Sequence, residues 1–336
     1  MMKKMVVGLF VLVALQVVLG TRVAAQNPCW TQVSCGYYSF YSGGCAPPTP
    51  VGAEFGCISS GTFGRDCNAN NTKCPPPKRS KCNVGGKPIC LSDGNTYIEQ
   101  VDVKIPGVGG GLTLARTWNS VWPSADAGPQ IGLFGPNWRS TFEERVFVGS
   151  DHFIKYVRSD GDYWSFGLNN SGFWSPAAPA NSSATLAQDQ VHWTLTFPSG
   201  EIRIFDYTTG NLLSIADRNG NTTQLSYDSS NRLVTVTDPA SRHLYFGYAN
   251  GSSFLVTSVT SDFGISLSYA YDAQGRLSQV TKPDSTTVSF TYNSQSLITA
   301  VTDSVGKILE SHSYDANGRG LTSSRAAGVE ALTVAY

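Results

Sequence analysis

Charge is scarce in this sequence. Only 14% of its 336 residues are Asp, Glu, Lys or Arg, and 24 basic side chains balance 24 acidic ones. No net field is available to draw in nucleic acid or an anionic membrane, so neither is expected as a partner. Histidine is rarer still: His152, His192, His243 and His312 are scattered, and none sits in H-E-x-x-H or another metal-ligand spacing. There is no G-x-S-x-G elbow, and "GVGGG" at Gly107 to Gly111 joins two predicted strands without the Walker lysine and serine. Asp160 and Asp162 in "SDGDYW" lack the additional oxygen ligands of a calcium loop and are read as a turn. With no catalytic constellation, the chain is expected to be non-enzymatic and to need no cofactor or metal.

Long apolar runs are also missing after the first 25 residues. There, Lys3 and Lys4 precede an apolar run from Met5 to Leu19, and Val23-Ala24-Ala25 supplies small residues before Gln26. This predicts a signal peptide over 1–25, because the run is shorter than the roughly 20 residues a spanning helix needs. The mature chain is expected outside the cytoplasm, whether periplasmic, extracellular or at the cell surface, with no transmembrane segment. The cysteines agree with export. Cys29, Cys35, Cys45, Cys57, Cys67, Cys74, Cys82 and Cys90 lie in a Gly-, Pro- and Ser-rich stretch with no C-x-x-C, which argues against zinc or redox chemistry. A small disulfide-stapled module over 26–85 is expected, with its pairing open.

What the chain has in abundance is tyrosine at a fixed period. Tyr207, Tyr227, Tyr248, Tyr271, Tyr292, Tyr314 and Tyr336 are separated by 20, 21, 23, 21, 22 and 22 residues. Such spacing predicts a repeat array over 201–336, and its strongest copies are "YDSSNRL", "YDAQGRL" and "YDANGRGL". The defining residues are Tyr227, Asp228 and Arg232; Tyr271, Asp272, Gly275 and Arg276; and Tyr314, Asp315, Gly318 and Arg319. Each copy reads as a β-hairpin. Val288, Phe290 and Tyr292 alternate with Ser289 and Thr291, so one strand face is apolar and the other hydroxylated. The aspartate then caps a turn, and Gly275, or Asn231 in its copy, takes positive φ. A single hairpin is marginal in water, so copies must pair edge to edge and hide a common face. The recurring arginines are expected to pair with the turn aspartate or stack on a neighbouring tyrosine rather than form a ladder for acidic ligands.

Upstream, residues 86–150 read as a separate β domain. "YIEQVDVKI" alternates Val101, Val103 and Ile105 against Asp102 and Lys104, and "LTLARTWNS" returns after the glycines. Residues 151–200 read as a β connection into the array, with Ser175 to Ala187 as an exposed link. Trp164, Trp174 and Trp193 are expected in the core or on hairpin faces; were they exposed, they would offer stacking faces for sugar rings, the basis of an alternative reading as a carbohydrate-binding or adhesion module.

Taken together, these motifs resemble the RHS/YD-repeat family. The repeats carry one half of the resemblance. The other half is "GKPICLSDGNTYIEQVDV", "LTLARTWNS" and "GPNWRSTFEERV", which look like the domain that commonly precedes the repeats. The resemblance implies an all-β chain of antiparallel hairpins forming a spiralling sheet or partial shell, preceded here by the disulfide module. It implies a structural role in a shell or cell-surface contact, including carriage of a polymorphic toxin, with the rest of its own shell or a cargo chain as partner. The sequence departs from toxin-bearing members in lacking their aspartate-based autoproteolytic core motif, and Tyr336 stands where a new copy would begin. The chain is therefore expected to be either the N-terminal part of a longer carrier or a partial shell that completes itself against another chain, its array incomplete.

Overall fold

In a computed structural model of the chain, the described residues are 31–35, 38–42, 57–59, 62–64, 84–85, 89–91, 93–122, 131–150, 153–168, 174–178, 184–250, 253–325 and 328–336. The proposed signal peptide and Cys29, Cys45, Cys67, Cys74 and Cys82 lie outside them. Two compact units are present, one of residues 1–75 and 166–182, the other of 76–165 and 183–336. The first contains the antiparallel hairpins Thr31–Cys35 with Tyr38–Ser42 and Cys57–Ser59 with Thr62–Gly64.

In the second unit, every strand from Thr185–Gln188 to Val329–Thr333 pairs antiparallel with the next in the chain. This order follows directly from the repeat. Each hairpin hydrogen-bonds internally, and its outer edge must be covered by the neighbouring copy. Along each strand the burial alternates: Leu244 and Phe246, Leu267 and Tyr269, and Val288 and Phe290 are buried, whereas Tyr245 and Ser268 are exposed. One face of the sheet is thus largely apolar.

A three-stranded sheet from the N-terminal part of the same unit covers that face. Its order is Trp138–Ser140, Leu112–Asn119, Tyr97–Ile105. Four aromatic contacts follow the repeats in sequence. Phe142 meets Phe246 at 6.4 Å between ring centroids, Phe134 meets Tyr269 at 4.8 Å, Trp138 meets Phe290 at 5.3 Å, and Trp118 meets Tyr314 at 6.3 Å. All but Phe246 and Phe290 of the paired rings from 118 to 290 are under 5% exposed, so the interface is a desolvated core rather than a surface contact.

Two sequence expectations are corrected here. The alternation in "YIEQVDVKI" breaks at a register shift between Val101 and Val103. A β-bulge there leaves Val101 54% exposed and turns the Asp102 side chain inward, to 3% exposure. The stretch from 175 to 187 is also not a plain link, since Trp174–Ala178 and Thr185–Gln188 are strands. Leu186 anchors the second of these, opposite Leu195 and 1% exposed; one apolar residue among Ala, Ser and Asn gave too weak a period to detect.

Candidate functional site

The Tyr-Asp turns share one geometry. In "YDAQGRL" the Asp272 amide donates to the Arg276 carbonyl at 2.9 Å and the Gly275 amide to the Asp272 carbonyl at 2.9 Å. Asp272 Oδ1 accepts the amides of Gln274 and Arg276, and Oδ2 accepts Arg276 Nε at 2.6 Å. Gly275 stands at φ 73°, the left-handed conformation that closes such a hairpin. Asp228 and Asp315 make the same bonds with Arg232 and Arg319, with Asn231 (φ 60°) and Gly318 (φ 78°) in the glycine place. The Arg232 guanidinium and amide hold the Asp228 carboxyl below its usual range. At Asp272 burial pulls the other way, but the amide and guanidinium of Arg276 outweigh it.

The next residues grip the following copy. Arg232 lies 4.8 Å from the ring centroid of Tyr248, and the carbonyl of Leu233, its neighbour in sequence, accepts the Tyr248 hydroxyl at 2.8 Å. Arg276 and Leu277 hold Tyr292 in the same way, at 4.6 Å and 2.8 Å, and Arg319 and Gly320 hold Tyr336 at 4.3 Å and 3.0 Å. Tyr227, Tyr271 and Tyr314 use the carbonyls of Leu212, Val256 and Ile298. Burial raises the Tyr292 phenol to about 12 and the Tyr227, Tyr248, Tyr271 and Tyr314 phenols further. The tyrosine is thus an inter-repeat fastener, and the recurring arginines are occupied within the array.

A buried polar node, not legible in the sequence, joins the array to the sheet that covers it. Arg116, 1% exposed, forms an ion pair with Asp102, its Nη2 2.9 Å from Oδ1. The Tyr269 hydroxyl donates to Asp102 Oδ2 at 2.8 Å. The guanidinium also lies 4.7 Å from the Trp138 ring, 5.3 Å from Phe134 and 5.4 Å from Tyr269. Such a node specifies register more than it generates chemistry.

The remaining candidates show no reactive arrangement. Among the described residues no three His, Cys, Asp or Glu side chains are placed to hold a metal ion. His243 is half-buried, 2.8 Å from Asp262 and stacked on Tyr245. His312, at 5% exposure, was not singled out by its sequence context; with Glu310 it occupies positions that neighbouring copies fill with Val288 and Phe290. Val108 to Gly110 form a short turn, and Asp160 Oδ1 accepts the Asp162 amide in another. Trp164 and Trp193 are 7% and 6% exposed. Trp164 packs edge-on against Tyr156 and Phe197, and Trp193 stacks on Tyr207, which leaves little ring face for a sugar. Trp174 lies in the other unit and is half-buried. Cys90 is disulfide-bonded.

Comparison with known proteins follows the same division. Residues 86–166 match a family model described as a domain of unknown function, DUF6531. The model of the RHS Repeat matches 205–243, 255–287 and 271–308. The chain is 28% identical over 141 residues to the tRNA nuclease WapA of Bacillus subtilis strain 168 and, equally, to the tRNA(Glu)-specific nuclease WapA of Bacillus subtilis subsp. natto. That match spans 42% of this chain but 6% of each relative's length. Among solved structures, a TcdB2-TccC3-Cdc42 crystal structure matches at 10% identity and a TM-score of 0.28, over 63% of this chain and 15% of that one. The Photorhabdus luminescens Tc holotoxin pore with TccC3-D651A matches at 10% identity and a TM-score of 0.25, over 65% and 14%. With the repeat model falling on the hairpins fastened by tyrosine, and a second family model on the sheet that covers them, the chain belongs to the RHS/YD-repeat family.

Proposed function

We propose that the chain is a non-enzymatic, exported structural segment, a stretch of β-shell wall together with the sheet that lines it, in a carrier that holds a cargo chain. One observation carries the reading: in the Tyr-Asp copies the aspartate is spent on its own turn and the tyrosine and arginine on the adjacent repeat, so the recurring pattern builds wall. Export is supported by the basic and apolar N-terminal run and by the clustering of cysteines. No helix among the described residues is long and apolar enough to cross a membrane.

Two measurements test it. In host cells making the full chain, fractionation should place it outside the cytoplasm with its cysteines oxidised; a reduced cytoplasmic protein would overturn export. Incubated with total tRNA, the purified chain should leave the RNA intact. Cleavage that co-purifies with the chain and survives removal of contaminating nucleases would overturn the non-enzymatic reading.

A further inference from the structure

The sequence holds Asn-Gly three times, at Asn219-Gly220, Asn250-Gly251 and Asn317-Gly318. Such pairs have a chemistry of their own. With no Cβ on the second residue, its backbone nitrogen can approach the asparagine side-chain Cγ closely enough to attack it. Gly251 lies outside the described residues, so the structure decides between the other two.

Both sit in turns of one kind. The Gly220 amide donates to the Asp217 carbonyl at 3.0 Å and the Gly318 amide to the Asp315 carbonyl at 3.2 Å, with the glycines at φ 82° and 78°. Asp217 Oδ1 accepts the Asn219 amide at 2.8 Å, as Asp315 Oδ1 accepts that of Asn317 at 2.8 Å. Asn219 and Asn317 are both exposed. The difference lies at the glycine. Gly318 belongs to a Tyr-Asp turn and is buried: a Cβ there would lie 3.2 Å from the Ser120 carbonyl oxygen and 3.7 Å from Leu297 Cδ1. Its amide is shut away from hydroxide, and its backbone has no room to swing. Gly220 belongs to a return turn and is exposed, with nothing within 4 Å of a Cβ.

We infer that Asn219 is a site of spontaneous covalent modification in the folded protein, and that Asn317 is protected from it. Hydroxide removes the Gly220 amide proton, and the nitrogen attacks Asn219 Cγ. The N–Cγ bond forms, the Cγ–Nδ2 bond breaks and ammonia leaves. Water then opens the cyclic imide at either carbonyl, giving aspartate or isoaspartate. The product adds a carboxylate to the turn that Asp217 already charges, and its isoaspartyl form lengthens the turn's main chain. Both changes fall where the glycines from 107 to 111 meet the array, since a Cβ on Gly109 would lie 3.1 Å from Asn221 Cβ.

The test is to incubate the full chain in mildly alkaline buffer and read digested time points by mass spectrometry with electron-transfer fragmentation, which separates aspartate from isoaspartate. Asn219 should convert to a mixture of the two about tenfold or more faster than Asn317, because Gly318 reacts only in locally opened molecules. In a chain unfolded by guanidinium with its cysteines reduced, the two rates should come together. Asn219→Gln, whose longer side chain closes the ring far more slowly, should stay unmodified at that position. Asn219 that stays intact in the folded chain while it converts in the unfolded one, Asn317 that keeps pace with it in the folded chain, or a product free of isoaspartate would overturn the inference.

Discussion

The Tyr269 hydroxyl, at the centre of the repeat array, rests 2.8 Å from Asp102 Oδ2, a residue 167 positions earlier in the chain. With Arg116 this makes a buried three-residue node, so removing Asp102 leaves the Arg116 charge buried and unpaired. Asp102→Ala should destabilise the protein by about 3–5 kcal/mol, whereas Tyr269→Phe should cost about 1 kcal/mol. Chemical denaturation of the single and double variants checks this, and the double variant should cost less than the sum.

The tyrosine fasteners act at separate points along the sheet. Tyr248→Phe and Tyr292→Phe each delete one hydroxyl donated at 2.8 Å and should each lower stability by about 0.5–1.5 kcal/mol. Because the two sites share no partner, the losses should add, as read from denaturation midpoints.

Not every left-handed turn position carries the residue best suited to it. Ser241, Ser285 and Ser296 stand at φ 60°, 65° and 63° where other copies place glycine or asparagine. Ser285→Gly and Ser296→Gly should each raise stability by about 0.5–1 kcal/mol, as relief of left-handed strain exceeds the added chain entropy. Gly275→Val should do the reverse, by more. Thermal melts of the three variants decide it.

Stability should fall at both ends of the pH scale. The carboxyls of Asp228, Asp272 and Asp315 have folded-state values below their unfolded ones. Their contribution is present above the unfolded value of about 4 and disappears as pH drops through the folded values. Asp228→Asn should therefore shrink the acid limb. The Tyr292 phenol is raised by burial to about 12, so its contribution is whole below about pH 10 and is lost as pH climbs from there through 12. Equilibrium denaturation across pH, with phenolate absorbance at the alkaline end, tests both limbs.

Much of this fold could be read from residue order alone, because its information is local. The tyrosine period, the i to i+4 aspartate and arginine, and the alternation in Val288, Phe290 and Tyr292 all act within one hairpin or between adjacent ones. What escaped was non-local. That the common apolar face would be covered by Phe134, Trp138 and Trp118, rather than by another array, depends on contacts more than 100 residues apart, which no periodicity records. The bulge at Asp102 escaped for a different reason: in sequence, an inward aspartate is indistinguishable from an outward one until Arg116 is known to face it.

Synthesis from the N-terminus gives the covering sheet a temporal role. Phe134, Trp138 and Trp118 emerge long before Tyr269, Phe290 and Tyr314, the rings that bury them. A sheet made first and covered last would hold its aromatic side open until each hairpin docks beside the one before. Assembly by this route would be a docking in numerical order, in which a delayed or damaged hairpin would hold up those behind it.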